Sequence, residues 1–284
     1  MNIAITGASG FIGRRLGETL GADGHTVRAL SRRDAAPLED SLRGADAVVH
    51  LAGEPVSQRW TDEVKRRVRE SRVQGTLRLV QALSVLPTRP QTLVCASAIG
   101  IYGDRGDEVL TENSHPGQGF LPDVCREWEA QADLAESLGL RVMKLRIGVV
   151  LGRGGGALAK MIPPFKAFVG GKLASGRQWM SWIHLDDIVG LIRHGLHNSV
   201  SGVVNGTAPN PATNAEFTRE LAAALHRPAV FPVPALAIKA LYGEMSEIVL
   251  ASQRVLPKSA EAAGYGFHFR ELAPALRDVV GTAQ

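Results

Sequence analysis

Residues 2–20 read NIAITGASGFIGRRLGETL, and no other stretch leaves this chain so few folds to choose from. A short apolar run, Ile3-Ala4-Ile5, meets Thr6 and then three glycines, Gly7, Gly10 and Gly13. Phe11, Ile12, Leu16 and Leu20 follow at helical spacing, so the stretch predicts a buried strand, a tight turn and a helix. In such a unit Gly7 lets the chain turn, Gly10 lets backbone N–H groups come close to a ligand, and Gly13 lets the helix pack on the strand. The N–H groups at the helix start, with the helix dipole behind them, then suit a diphosphate. Glycine-rich turns also occur as plain loops, but the strand before and the helix after favour a dinucleotide site. Ser9, Phe11 and Ile12 join the three glycines as candidate cofactor contacts.

The next junction bears on which dinucleotide. Residues 25–30 read as a second strand and run into Ser31, Arg32 and Arg33. NAD sites place an acid at this strand end for the ribose 2′-hydroxyl, whereas cations and hydroxyls suit the 2′-phosphate of NADP(H). The nearest acid, Asp34, lies past both arginines, so Ser31, Arg32 and Arg33 predict NADP(H) over NAD(H). Residues 46–51 read as another buried strand. It ends in Leu51, Ala52 and Gly53, whose small pair lets the cofactor's adenosine side lie close to the backbone.

Strands and helices alternate beyond this point. Residues 34–44 carry no strand pattern, so the sheet edge expected there is reduced or absent. A long amphipathic helix spans residues 60–83, with Val64, Val68, Leu77, Val80 and Leu83 on its apolar side. Then come a strand at 92–97, a helix at 120–138, a strand at 141–151 and a short helix at 157–169. An extended piece at 182–184, a helix at 185–196 and a strand at 202–205 complete the alternation. Helices at 217–225 and 235–250, and a small extended element within 258–269, fall outside it. The predicted class is α/β, a Rossmann-type doubly wound parallel sheet with a smaller, mostly helical C-terminal substrate lobe. Residues 1–156 and 181–210 are expected to form the NADP(H)-binding domain, and 157–180 with 211–284 the lobe.

Composition excludes several classes. A chain of 284 residues that is 45% hydrophobic can build a full core, but it has no uninterrupted apolar run of about 18 residues. Neither a membrane span nor a signal peptide is expected. Cys95 and Cys125 are the only cysteines, too few for a disulfide framework or a metal cluster, and a reducing cytoplasmic setting fits. The net charge is only +4, and the densest basic run, Lys65 to Arg72, is interleaved with Glu63 and Glu70. That pattern reads as solvated helix surface, so no nucleic-acid or membrane partner is expected. A monomer is preferred over a homodimer, because the long helix that would pair is crowded with arginines.

By residue 187 several motifs have accumulated in order: TGASGFIG, HLAG at 50–53, Ser97 followed by Tyr102-Gly103, and WIHLDD at 182–187. Together they resemble the extended short-chain dehydrogenase/reductase superfamily. HLAGEPV, SRVQGT, SAIGIYGD, GRQWMSWIHLDD and GEMSEIVLASQRVLPK are similar to its atypical "epimerase family protein" branch, over essentially the whole chain. The superfamily resemblance implies a tyrosine acid/base four residues before a lysine, with a serine or threonine polarising the substrate oxygen. This chain departs from that. Its tyrosines are Tyr102, Tyr242 and Tyr265, and none has a lysine four residues on. Cys125 and Glu129 stand at the tyrosine and lysine positions, and Arg72 stands where relatives carry an asparagine before the V-x-G-T pattern.

The candidate catalytic residues are therefore Ser97, Tyr102, Arg72 and Glu129. Ser97 reads as the polarising hydroxyl, although counting back from Tyr102-Gly103 puts Ala98 there instead. Tyr102 reads as a substrate contact or substitute acid, or as loop packing. Arg72 either faces the cleft, pairing with Glu129 or a substrate anion, or lies on the surface. His184 reads as a structural hydrogen-bond donor, and Asp186 and Asp187 as helix N-caps. Arg177, Gln178, Trp179 and Trp182 either line a pocket or anchor the lobe. Two functions follow: an NADP(H)-dependent oxidoreductase or epimerase acting on a small carbonyl or sugar-like substrate, or a non-catalytic NADP(H)-binding redox sensor.

Overall fold

Successive residues of a strand face opposite sides of its sheet, and here both sides are apolar. Ile3 and Ile5 pack on one face while Ala4 packs on the other, and Val49 and Val48 divide in the same way. A sheet with two apolar faces must be covered twice, which is the doubly wound arrangement the sequence predicts.

The computed structural model describes residues 1–31 and 36–281. The chain opens with β1 (Asn2–Thr6), α1 (Phe11–Ala22), β2 (Thr26–Leu30), α2 (Leu38–Leu42), β3 (Ala47–His50) and α3 (Asp62–Ser84). It continues through β4 (Thr92–Ala98), β5 (Val109–Leu110), α4 (Phe120–Asp133), β6 (Arg141–Ile147), β7 (Val149–Leu151) and α5 (Leu158–Lys166). Then follow β8 (Trp179–Met180), β9 (Trp182–His184), α6 (Leu185–His197), β10 (Gly202–Gly206), β11 (Ala212–Thr213) and α7 (Asn214–Leu225). The C-terminal part holds α8 (Ala235–Tyr242), α9 (Ser246–Leu250), β12 (Arg254–Val255), α10 (Lys258–Ala262) and α11 (Leu272–Val280).

Six strands form one all-parallel sheet in the order β10-β6-β4-β3-β1-β2. Between β2 and β3 the described residues contain only the short α2, so the reduced edge expected there is found. Leu16 and Leu20 of α1 and Ile188 and Ile192 of α6 cover one face. Leu79, Val80 and Leu83 of α3 and Trp128 and Ala132 of α4 cover the other. A third cluster joins α5, α7 and α11 around Trp182. Among the described residues no helix is long and apolar enough to cross a membrane.

The structure corrects four element expectations. The strand at 141–151 breaks at Gly148, where a Cβ would come 2.5 Å from the Ser181 carbonyl oxygen, and β7 leaves the main sheet to pair with β9. The helix at 120–138 ends at Asp133, and residues 136–138 form a 3-10 turn. The single helix at 235–250 splits at Gly243, whose φ of 60° no right-handed α-helix accommodates, and residues 243–245 form a 3-10 turn. Residues 258–269 hold α10 and no strand.

The C-terminal part is tied to the loop after β4. β12 pairs with β5, and the Gln253 side chain donates to the Ile99 and Gly103 carbonyls, each at 3.0 Å. Ser252 donates its N–H to Asp104 Oδ1 (3.0 Å) and its hydroxyl to the Gly106 carbonyl (2.6 Å).

Candidate functional site

The turn after β1 behaves as its glycines predict. Gly7 has φ +72°, and a Cβ there would come 2.8 Å from Ala52 N and the Leu51 carbonyl carbon. A Cβ on Gly13 would lie 2.2 Å from Gly7 O, so α1 rests directly on the turn. Gly10 is the N-cap of α1 and is exposed, with no side chain to cap the first-turn N–H groups. Those groups and the positive end of the helix are what a diphosphate requires. Ser9 is exposed beside Gly10, and Phe11 and Ile12 are half-buried in the first turn of α1. The Phe11 ring lies against the glycine run after β7, where a Cβ on Gly155 would come 2.4 Å from it.

Leu51, Ala52 and Gly53 follow β3 and border the same turn. Leu51 N–H donates to Thr6 O (3.1 Å), and Ala52 N–H lies 3.3 Å from Thr6 Oγ1. Beneath them runs a buried chain of bonds, Thr6 Oγ1 to His50 Nδ1 (2.6 Å) and His50 Nε2 to Thr76 Oγ1 (3.1 Å). Burial pulls His50 down to about 4, so the ring is neutral and holds the ends of β1 and β3 to α3. Ser31 is exposed at the end of β2, and Arg32 and Arg33 lie outside the described residues.

The candidate catalytic residues do not assemble into a proton relay. Glu129 does not meet Arg72; Arg146 on β6 takes both of its oxygens, Nε to Oε1 and Nη2 to Oε2, each at 2.8 Å. Ser97 turns its hydroxyl inward to Glu129 Oε1 (2.6 Å). Tyr102 is fully buried; its hydroxyl accepts from Arg146 Nη1 (3.0 Å) and lies 2.8 Å from Asn205 Oδ1 and 3.0 Å from the Thr111 carbonyl. Burial pushes the Tyr102 phenol up from its ordinary value. In this structure the Tyr102 hydroxyl is enclosed among Arg146, Asn205 and Thr111. Cys125 is buried, and its thiol is pushed up to about 12 by burial first and by the Glu129 carboxylate second. A thiol held neutral in this way is no substitute for a phenol beside an ammonium.

Arg72 lies against Gly53, just after β3. Its Nη1 donates to the Glu54 and Val68 carbonyls (3.0 and 3.2 Å), its guanidinium lies 5.2 Å from the Trp128 ring centre, and a Cβ on Gly53 would be 3.3 Å from it. Burial pulls its pKa down from the usual guanidinium value.

The side chains of the remaining candidates, Arg177 apart, hydrogen-bond within the chain. His184 Nδ1 accepts the Asp186 N–H (3.1 Å), so His184 is the N-cap of α6 and an acceptor there. Asp186 pairs with Arg15 (2.8 Å), and Asp187 accepts the His268 and Phe269 N–H groups (2.7 and 2.9 Å), so neither is the expected N-cap. Trp182 is buried with its indole N–H on the Asn210 carbonyl, Gln178 donates to Leu173 O, and the Trp179 indole donates to Asp107. Arg177 is exposed. No group of three or more metal-ligating side chains occurs among the described residues.

The sequence reading missed Arg146. The one signal was a third long cation, after Arg141 and Lys144, in the strand RVMKLRI, next to a helix whose Glu129 needed a counter-charge.

A parallel sheet whose first turn is closed by glycines and opened by an uncapped helix defines a dinucleotide-binding α/β protein. The family described as "NAD dependent epimerase/dehydratase family" matches residues 3–208, and a domain of unknown function matches residues 233–279. The chain is 44% identical to the "Epimerase family protein SDR39U1 homolog, chloroplastic" of Arabidopsis thaliana, over 99% of this chain and 87% of that one. It is similar, at 36% identity and a TM-score of 0.92 over 99% of both chains, to the crystal structure of human epimerase family protein SDR39U1 (isoform 2) with NADPH. The UDP-glucuronic acid 4-epimerase of Bacillus cereus, solved with NAD, shares the fold at 17% identity and a TM-score of 0.81, covering 99% of this chain and 96% of that one. The chain belongs to the NAD-dependent epimerase/dehydratase family.

Proposed function

We propose that this chain is an NADP(H)-binding protein that acts as an oxidoreductase or epimerase on a small carbonyl or sugar-like substrate. The observation that carries the reading is the glycine turn, shut against Leu51 and Ala52 and open at the first turn of α1. Gly7, Ser9, Gly10, Phe11, Ile12 and Gly13 would hold the diphosphate. Leu51, Ala52 and Gly53 would border the adenosine side, and Ser31, Arg32 and Arg33 would meet the 2′-phosphate. Bound NADPH would supply a hydride. The likeness to the human protein solved with NADPH supports the phosphorylated cofactor. The acid/base set differs from the superfamily's usual one, because Ser97 is committed to Glu129 and Glu129 to Arg146.

That closed cluster also favours the second reading, a non-catalytic redox sensor. One experiment separates the two. Fluorescence titration of the purified protein is expected to show NADPH binding about tenfold or more tighter than NADH, about 1.4 kcal/mol. A screen of carbonyl compounds with C4-deuterated NADPH then reads catalysis as loss of the label. Tight binding with no loss across the screen favours the sensor, and no binding of either dinucleotide removes both readings. On α3 Arg66 pairs with Glu63 and Glu70 and Arg69 with Glu127, all well exposed; that leaves a charged, solvated face rather than an apolar one, which supports a monomer. Two buried, unpaired cysteines suit a reducing cytoplasm.

A further inference from the structure

Residues 65–72 carry five cations, four of which have carboxylate partners. Lys65 pairs with Glu244, Arg66 with Glu63 and Glu70, Arg67 with Glu54 and Glu63, and Arg69 with Glu127. Arg72 has none within 4.0 Å among the described residues; its hydrogen bonds, both from Nη1, go to the Glu54 and Val68 carbonyls. The natural candidate on α4, Glu129, has both oxygens committed to Arg146. Cys125, the other ionisable group of α4 that acts on Arg72, is a neutral thiol.

A largely desolvated guanidinium stays charged; the Glu54 carboxylate acts on it only from beyond pairing distance and is itself paired with Arg67, so a standing electrostatic cost remains that an anion would relieve. The free part of this one has a particular shape. Nη1 is committed, Gly53 and Trp128 crowd the central carbon, and Nε and Nη2 have no acceptor among the described residues. Neither atom is among those sealed from solvent without a partner. The Nε–Nη2 edge presents two parallel N–H donors, the pattern that a carboxylate accepts in its own plane. Gly53, whose open face meets Nη2, lies directly after Leu51 and Ala52 on the border of the phosphate turn. The dinucleotide's phosphates have their own donors at the start of α1, so the Arg72 edge is left for a second molecule.

Resting on the cofactor reading above, the geometry points to Arg72 as the anchor for a substrate carboxylate, which makes the substrate class small oxo or hydroxy acids. The test uses oxalate as the probe on the full-length protein. NADPH is first titrated alone into the wild type, and failure there removes the cofactor reading and not this one. With NADPH bound, oxalate is expected to bind the wild type and to bind Arg72→Gln about tenfold or more weakly, while NADPH affinity changes by less than about threefold. Arg72→Lys, which keeps the charge and loses the two-pronged edge, is expected to fall between them. Equal oxalate binding by wild type and Arg72→Gln, or none by either, overturns the proposal. A loss of NADPH affinity of about tenfold in Arg72→Gln also overturns it, because the guanidinium then serves the cofactor. Should circular dichroism show Arg72→Gln unfolded, Arg72→Lys decides by the same criteria. Gly53→Ala, whose new Cβ would press on the guanidinium at 3.3 Å, is the companion variant and is expected to weaken oxalate without removing the charge.

Discussion

Glu129 and Arg146 show how a reversed charge is made tolerable. A carboxylate at a position where the superfamily resemblance implies a lysine is neutralised by a guanidinium from the neighbouring strand, and Ser97 and Tyr102 close the remaining polar atoms around the pair. Both members are buried, so removing one strands the other in low dielectric. Glu129→Gln is therefore expected to lower stability by about 3–5 kcal/mol in urea unfolding, whereas replacing both together, Glu129→Leu with Arg146→Met, costs less. Equal losses for the single and the double variant would show that the pair is not what holds this region. Half of the pair was legible in the sequence. Glu129 stood out through its alignment with a missing lysine, but Arg146 did not, because a long cation in a strand that also carries Arg141 and Lys144 looks the same whether it snorkels to solvent or turns into a buried partner.

At the level of elements, the strand–turn–helix at the N-terminus was the most readable part of the molecule. Glycines at fixed offsets admit few backbones, and the structure gives Gly7 and Gly13 the expected tasks. Gly13→Ala is expected to push α1 off the turn, costing about 1–3 kcal/mol and weakening NADPH binding about tenfold or more. Gly17→Ala on the same helix, where the nearest neighbour of a new Cβ is 3.9 Å away, is expected to gain up to about 1 kcal/mol. Thermal melts and NADPH titrations of the two variants check the contrast. The breaks at Gly148 and Gly243 were not legible. Apolar periodicity runs straight through both places, and only the close approach of Ser181 O or the positive φ of Gly243 decides that the chain must turn.

For the whole molecule, the buried histidines set an acid limit. His50 is held near 4 by burial, against an ordinary value of about 6.5 in the unfolded chain. Between those values the unfolded state binds the proton and the folded state does not. Stability is therefore full above about 6.5 and falls with pH towards 4, by at most about 1.4 kcal/mol per unit from this residue. His184 is also lowered by burial and adds to the same trend. Urea unfolding at a series of pH values is expected to show the decline, and His50→Gln, which cannot titrate, is expected to flatten part of it. An unchanged slope would remove His50 as the cause. The parallel sheet that sets this global stability was legible because its strands are short apolar runs separated by helices, while the C-terminal tie to the loop after β4 runs through side-chain and backbone bonds that leave no periodic trace.

That tie changes what the boundary between the two matched regions means. Residues 252–255 hold the loop of residues 99–110, yet a ribosome makes that loop some hundred and fifty residues earlier. The sheet can close once β10 has emerged, but the wall beside Tyr102 must wait for a segment that lies outside the family match at 3–208. The region of residues 233–279 is thus the latch that finishes its neighbour, and inheriting one without the other would leave a half-built cleft.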